Sequence, residues 1–226
     1  MECKRACRRY YSFPSIFTNS SQYLGSSTSH SVALGDLDGD GDLDAFIANL
    51  LNQPNKVWLN DGSGNFTDSG QSLGNSSSST IALGDLDGDG DLDAFVANTY
   101  NSFTNADAEP NKVWVNNGDG TFTDSGQLLG GNAYSEDVSL ADLDGDGDLD
   151  AYIANSINQT NKLWLNDGSG NFTDSGQSLG NSSSYGISLD DLDADGDIDA
   201  FVVNHFVSSK VWLNNGNGDL QIVVNR

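Results

Sequence analysis

The string Asp-Leu-Asp-Gly-Asp-Gly-Asp-Leu-Asp begins at Asp36, Asp85 and Asp142, and a close copy, Asp-Leu-Asp-Ala-Asp-Gly-Asp-Ile-Asp, begins at Asp191. Carboxylates at every second residue repel one another, by up to about 4 kcal/mol for a close pair at an effective dielectric near 20. Four copies of one spacing therefore demand a cation among them. The glycine at position six of each string (Gly41, Gly90, Gly147, Gly196) permits the positive φ that a sharp bend requires. The chemistry this pattern can do is hard-oxygen coordination.

In the first string, Asp36, Asp38 and Asp40 place carboxylates on one side of the bend, Asp42 offers its backbone carbonyl and Asp44 closes the shell. The counterparts are Asp85, Asp87, Asp89, Asp91 and Asp93, then Asp142, Asp144, Asp146, Asp148 and Asp150, and finally Asp191, Asp193, Asp195, Asp197 and Asp199. So many protein oxygens select Ca2+, one ion per repeat and about four in all, because magnesium keeps more of its water. Soft metals are disfavoured, since no sulfur or imidazole lies in the strings. An EF-hand starts alike but needs Glu at position twelve and flanking helices. Position twelve here is Ile47, Val96, Ile153 or Val202, each within an apolar run. Extracellular calcium modules bind with Kd on the order of 0.1–1 mM. At about 1 mM free calcium, a Kd of about 0.1 mM stabilises a fold by roughly 1.4 kcal/mol per site. Submicromolar calcium would forfeit that stabilisation, which points to an extracellular, cell-surface or periplasmic setting.

The elements that position these strings recur with them. The first Asp residues step by 49, 57 and 49, and Trp58, Trp114, Trp164 and Trp212 step by 56, 50 and 48. A base period of 49, with a seven-residue insertion between Asn98 and Asn111 and a single extra residue between Gly130 and Asp142, accounts for the large steps. Each repeat has an apolar run before the string (Val32-Ala33-Leu34), another after it (Ala45-Phe46-Ile47-Ala48), then Lys56-Val57-Trp58-Leu59-Asn60, a Gly-rich turn, and Phe66-Thr67-Asp68. These short segments, rich in β-branched and aromatic residues and bounded by Gly, Asn, Asp and Ser, read as four strands. The predicted fold is all-β: a β-propeller-type array of four four-stranded antiparallel blades, at about 30–74, 80–130, 137–180 and 186–226. The recurring aromatics are its inter-blade packing. Phe17-Thr18-Asn19 matches Phe66-Thr67-Asp68, so residues 15–25 carry a fourth-strand-like segment whose first three strands are absent, and Leu220–Val224 can supply the last blade's own fourth strand. Closure of only four blades would be tight. An open arc or partial ring is expected, with self-association to complete a ring as one outcome.

Composition excludes several functions. Net charge is −24 and pI about 4.1, which argues against nucleic acid and anionic membranes. The strings hold 20 of the 33 acidic residues, so the acid is a set of local sites. No segment has the apolar length to insert in a membrane. Residues 1–14 form a basic segment with Lys4, Arg5, Arg8 and Arg9 and no recognisable signal peptide, and it carries both cysteines, Cys3 and Cys7. For catalysis, His30 and His205 lie in different repeats without partners, the Ser-rich loops lack a nucleophile elbow, and calcium-bound acids make poor bases. No enzyme is expected. Loops opposite the acidic strings are the candidate binding surface, centred on the insertion with Tyr100 and Phe103 and flanked by Tyr134 and Tyr185.

The run Val-Ala-Leu-Gly-Asp-Leu-Asp-Gly-Asp-Gly-Asp-Leu-Asp-Ala-Phe, followed by Asn-Lys-Val-Trp-Leu-Asn-Asp-Gly and Phe-Thr-Asp-Ser-Gly-Gln, resembles the FG-GAP/VCBS family, which includes the integrin α-subunit propeller. The resemblance spans about residues 15–224. It implies a propeller with calcium between the first two strands of each blade, bound by the Asp residues named above. It also implies use in adhesion or ligand binding, where a protein or a glycan is the partner. Seven blades are usual in the family and four are present, so properties of a complete ring do not carry over. A lectin-like binder and a non-catalytic part of a larger secreted enzyme are the alternatives.

Overall fold

The computed structural model describes residues 16–100, 109–218 and 220–222. The basic N-terminal segment, both cysteines and most of the insertion, Phe103 included, lie outside these residues.

Among the described residues, sixteen strands form four separate four-stranded antiparallel sheets, each in sequential order. Blade I holds β1 (Ser29–Gly35), β2 (Asp44–Asn49), β3 (Lys56–Asn60) and β4 (Phe66–Asp68). Blade II holds β5 (Ser78–Gly84), β6 (Asp93–Asn98), β7 (Lys112–Asn116) and β8 (Phe122–Asp124). Blade III holds β9 (Ser135–Ala141), β10 (Asp150–Asn155), β11 (Lys162–Asn166) and β12 (Phe172–Asp174). Blade IV holds β13 (Ser184–Asp190), β14 (Asp199–Asn204), β15 (Lys210–Leu213) and β16 (Gln221–Ile222). Each acidic string is the connection between a blade's first two strands. Its last Asp opens the second strand, where Asp44 pairs with Gly35, Asp93 with Gly84, Asp150 with Ala141 and Asp199 with Asp190. No helix occurs among the described residues, as expected from the lack of a helical apolar period.

The side-chain period of two sends alternate residues of a strand to opposite faces of its sheet. Ala94 and Val96 of β6 therefore face blade I, while Phe95 and Ala97 face blade III. A thin sheet has no interior of its own, so the cores lie between blades. One joins Leu37, Phe46 and Val57 to Ile81, Val96, Trp114 and Phe122, and the same set recurs at the next two seams. Phe46 meets Phe122 edge to face at 5.2 Å and 87°, and Phe95 meets Phe172 at 5.2 Å and 84°, in the geometry favoured by the ring quadrupoles. Gly35 lies at such a seam. A Cβ there would fall 2.6 Å from Leu92 Cδ1, so the missing side chain is what lets blade II close on blade I.

The array is an open arc. Innermost strands pack in series, β1 on β5, β5 on β9 and β9 on β13, with no comparable contact between β13 and β1. One expectation is corrected: residues 17–19 are not in a strand. A fourth strand needs a third strand to pair with, and none lies ahead of blade I among the described residues. The segment nonetheless keeps its repeat position beyond that point. Gln22 Nε2 donates to Gly64 O (2.6 Å) and Gln22 Oε1 accepts from Phe66 N (2.8 Å), as Gln71 does with Gly120 and Phe122.

Candidate metal sites at the blade seams

Each acidic loop is tied down by its own carboxylates. Asp36 accepts from Gly39 N (2.9 Å) and Gly41 N (3.0 Å), and Asp40 accepts from Asp42 N (2.9 Å). Asp44 is buried at the loop's end. Its Oδ2 accepts from Leu37 N (2.9 Å) and its Oδ1 from Asn60 N (2.7 Å), so it latches both ends of the loop to the third strand. The same latch recurs at Asp93, Asp150 and Asp199.

The loops bring carboxylate oxygens within 4.8 Å of one another in four clusters: Asp36, Asp38 and Asp40; Asp85, Asp87 and Asp93; Asp142, Asp144 and Asp146; Asp191, Asp193 and Asp199. Positions one and three of the string contribute in every repeat, with position five or nine as the third. Each cluster could hold a metal ion, and the donors are oxygen only. The position-seven side chains go elsewhere. Asp42, Asp91, Asp148 and Asp197 each lie against a glycine of their own blade's last hairpin, respectively Gly62, Gly118, Gly168 and Gly216. That placement is compatible with a ligand role through the backbone carbonyl, the role expected of this position.

The electrostatics fit a cation. Burial first and a neighbouring carboxylate second push the carboxyls of Asp38, Asp87, Asp144 and Asp193 above their ordinary range. Burial also raises Asp93 and Asp150 to about 6, against the opposing pull of their two backbone hydrogen bonds. Groups that resist ionisation alone accept it when positive charge arrives.

The first three loops are also clamped by the following blade. Asn116 Nδ2 donates to Leu37 O (2.9 Å), Asn166 Nδ2 to Leu86 O (2.8 Å) and Asn214 Nδ2 to Leu143 O (2.7 Å). Leu37, Leu86 and Leu143, position two of each string, are 1% exposed, whereas Leu192 of the fourth loop, on which no further blade packs among the described residues, is 45% exposed. Sequence reasoning assigned no role to these Leu and Asn residues, nor to the glutamines that clamp successive hairpins. Their signal was present: Asn60, Asn116, Asn166 and Asn214, and Gln22, Gln71, Gln127 and Gln177, each recur once per repeat.

On the opposite face, Tyr100 and Tyr134 meet edge to face at 5.4 Å. Tyr185 lies instead against His205 (5.3 Å), which stacks on Phe206 at 3.7 Å. The expected aromatic surface is thus two clusters, one across blades II and III and one on blade IV. His30 is occupied structurally, donating from Nδ1 to Ser79 O of the next blade at 2.7 Å.

A sequence profile of the FG-GAP-like repeat matches residues 36–96, 85–153 and 142–190. No curated protein matches the chain by sequence. Among solved structures, the chain resembles BBS1N in a crystal structure of its complex with ARL6DN, with TM-score 0.55 and 11% identity over 88% of this chain and 59% of that one. It resembles the V. cholerae biofilm matrix protein Bap1, with TM-score 0.50 and 20% identity over 84% of this chain and 27% of that one. It also resembles the Bacillus licheniformis rhamnogalacturonan lyase PL11, with TM-score 0.48 and 17% identity over 78% of this chain and 41% of that one. The chain therefore spans less than two thirds of each of these chains. The profile matches cover most of its length, along the repeat whose loops and seams are described above, and the chain belongs to the FG-GAP-like repeat family.

Proposed function

We propose that this chain is a calcium-binding propeller module that works outside the cytosol as an adhesion or interaction surface and not as an enzyme. One observation carries the reading: each of four repeats gathers oxygen-only carboxylate clusters in a bend at the edge of a blade. Calcium suits this donor set, since it accepts many oxygens in flexible geometry. Asp36, Asp38, Asp40 and Asp44 and their counterparts would hold it by carboxylates, and Asp42 by its carbonyl. The bound ion supplies charge neutralisation. The chain's own residues do the rest: Asp44 latches the loop to β3, and Asn116 joins it to blade II. Ion binding thereby stiffens the seams and fixes the opposite face, where the Tyr100 and Tyr134 region would meet a protein partner.

A second reading, carbohydrate binding, is favoured by the stacked pair His205 and Phe206 beside Tyr185, where Phe206 is 93% exposed. Flat exposed rings suit the apolar faces of sugars. Equilibrium dialysis against radioactive calcium tests the metal reading: about four ions per chain support it, and retention of none overturns it. A glycan array, run with wild type and Phe206→Ala, separates the two partner classes. Loss of a glycan signal in the variant selects the sugar reading, and no glycan signal with wild type removes it.

A further inference from the structure

We propose that the two open faces of the arc are the two halves of one joint, and that a second copy of this chain docks its blade IV onto blade I. The proposal goes beyond the metal reading and does not depend on which ion fills the loops. Its template is the seam between blades I and II. There, Phe46 of the earlier blade meets Phe122 of the later one, Asn116 of the later blade donates to Leu37 O, and Leu92 enters the space over Gly35.

Both halves of that template stand open at the ends. On blade IV, Phe201 takes the place of Phe46 and is 42% exposed where Phe46 is fully buried, and Leu192 takes the place of Leu37. On blade I, Val32 and Leu34 are each 58% exposed, and Phe66 takes the place of Phe122. Asn60 Nδ2 reaches Leu43 O of its own blade at 3.2 Å, as Asn116 reaches Leu92 O, but makes no bond like that of Asn116 to Leu37 O. Docking pairs Phe201 with Phe66 and offers Leu192 O to Asn60. Gln22 already fills the hairpin clamp on blade I, so the incoming blade need not supply it.

Blade IV departs from the template at several positions, with Ser188 for Ala33 and Ala194 for Gly39 among them, and two bear most on the joint. Val203 replaces an alanine, and Asp190 stands where Gly35 makes room for Leu92, so Leu43 of the other copy would meet a carboxylate. The joint is therefore weaker than the internal seams and reversible. Because the two faces differ, the contact is head to tail, and it closes a ring or propagates according to the angle of the arc.

Sedimentation velocity in millimolar calcium over a range of concentrations tests this. Wild type is expected to associate reversibly. Leu34→Asp and Phe201→Asp, both at exposed positions and expected to keep the wild-type melting temperature, should each be monomeric. Mixed together, they should form a one-to-one dimer and nothing larger, since one intact face of each kind remains. Asp190→Gly should tighten wild-type association by about tenfold. If either single variant melts early, Val32→Lys and Val203→Lys replace the pair. A monomeric wild type at all concentrations overturns the proposal and leaves the faces to blades of a longer polypeptide or to another protein. A single variant that still self-associates, or a mixture that stays monomeric, overturns the head-to-tail arrangement.

Discussion

Loops 36–44, 85–93 and 142–150 are each held from two sides, by their own blade and by the next, whereas loop 191–199 is held from one. The fourth loop keeps the Asp199 latch, with Leu192 N at 2.9 Å and Asn214 N at 2.8 Å. It lacks a following asparagine on Leu192 O, and its second residue is half exposed. It also carries Ala194 at φ 65°, where the first loop has Gly39 at φ 77°. Nearly identical sequences thus sit in unlike surroundings. The comparison teaches that in this array the seam, and not the string alone, sets how firmly an acidic loop is preorganised.

The largest expected difference follows from the latch. Asp93→Ala strands the Leu86 and Asn116 amides in a buried seam, at about 1–3 kcal/mol each. Asp199→Ala should cost about half as much, because water reaches the fourth loop. Chemical denaturation of both variants in EGTA, where no ion contributes, gives the ratio, and equal costs would break the comparison. Next, Leu86→Ala should destabilise by about 3 kcal/mol, as a buried cavity does, against less than about 1 kcal/mol for the exposed Leu192→Ala.

The pH dependence has a definite sign. Asp93 and Asp150 titrate near 6 when folded, against 3.8 as the ordinary value. Between those values the folded protein binds more protons than the unfolded chain. The contribution of these two groups to metal-free stability therefore falls as pH rises through that window, and is fully lost above it. Melting in EGTA across this range should show a shallower fall for Asp93→Asn than for wild type. Calcium needs the ionised forms, so its affinity should drop as pH falls below about 6. The smallest effect is at Ala194. Ala194→Gly relieves left-handed strain and should stabilise by about 1 kcal/mol, net of the entropy glycine restores to the unfolded chain. Gly145→Ala should cost a similar amount, and a Cβ there comes within 3.4 Å of Gly216 O of the next blade.

The repeat, the four strands of each blade and the bends of the acidic loops were legible in the sequence because local signals agree with the fold at those places. The Asp spacing sets the bend, and the alternation in Ala45-Phe46-Ile47-Ala48 sets both packed faces of β2. Residues 17–19 show where such reading stops. Their sequence is that of a fourth strand, yet strand formation depends on a partner that lies outside the segment. The roles of Asn116 and Leu37 were hidden for a related reason. Their bond joins residues 79 positions apart, and only the stacking of blades brings them together. Position nine of the string read as a ligand but not as the latch, because the amides it accepts from belong to another strand. The aromatic face divided into two clusters because Tyr185 sits on the terminal blade, where no neighbour covers it.

The central claim is that bound calcium holds the bends and seams of this arc. Differential scanning calorimetry of the intact chain in millimolar calcium and in excess EGTA tests it most directly. Four sites at roughly 1.4 kcal/mol each predict a melting temperature higher by about 10–20 °C with calcium, at 2–4 °C per kcal/mol for a chain of this size. Superimposable transitions in the two buffers would contradict the account.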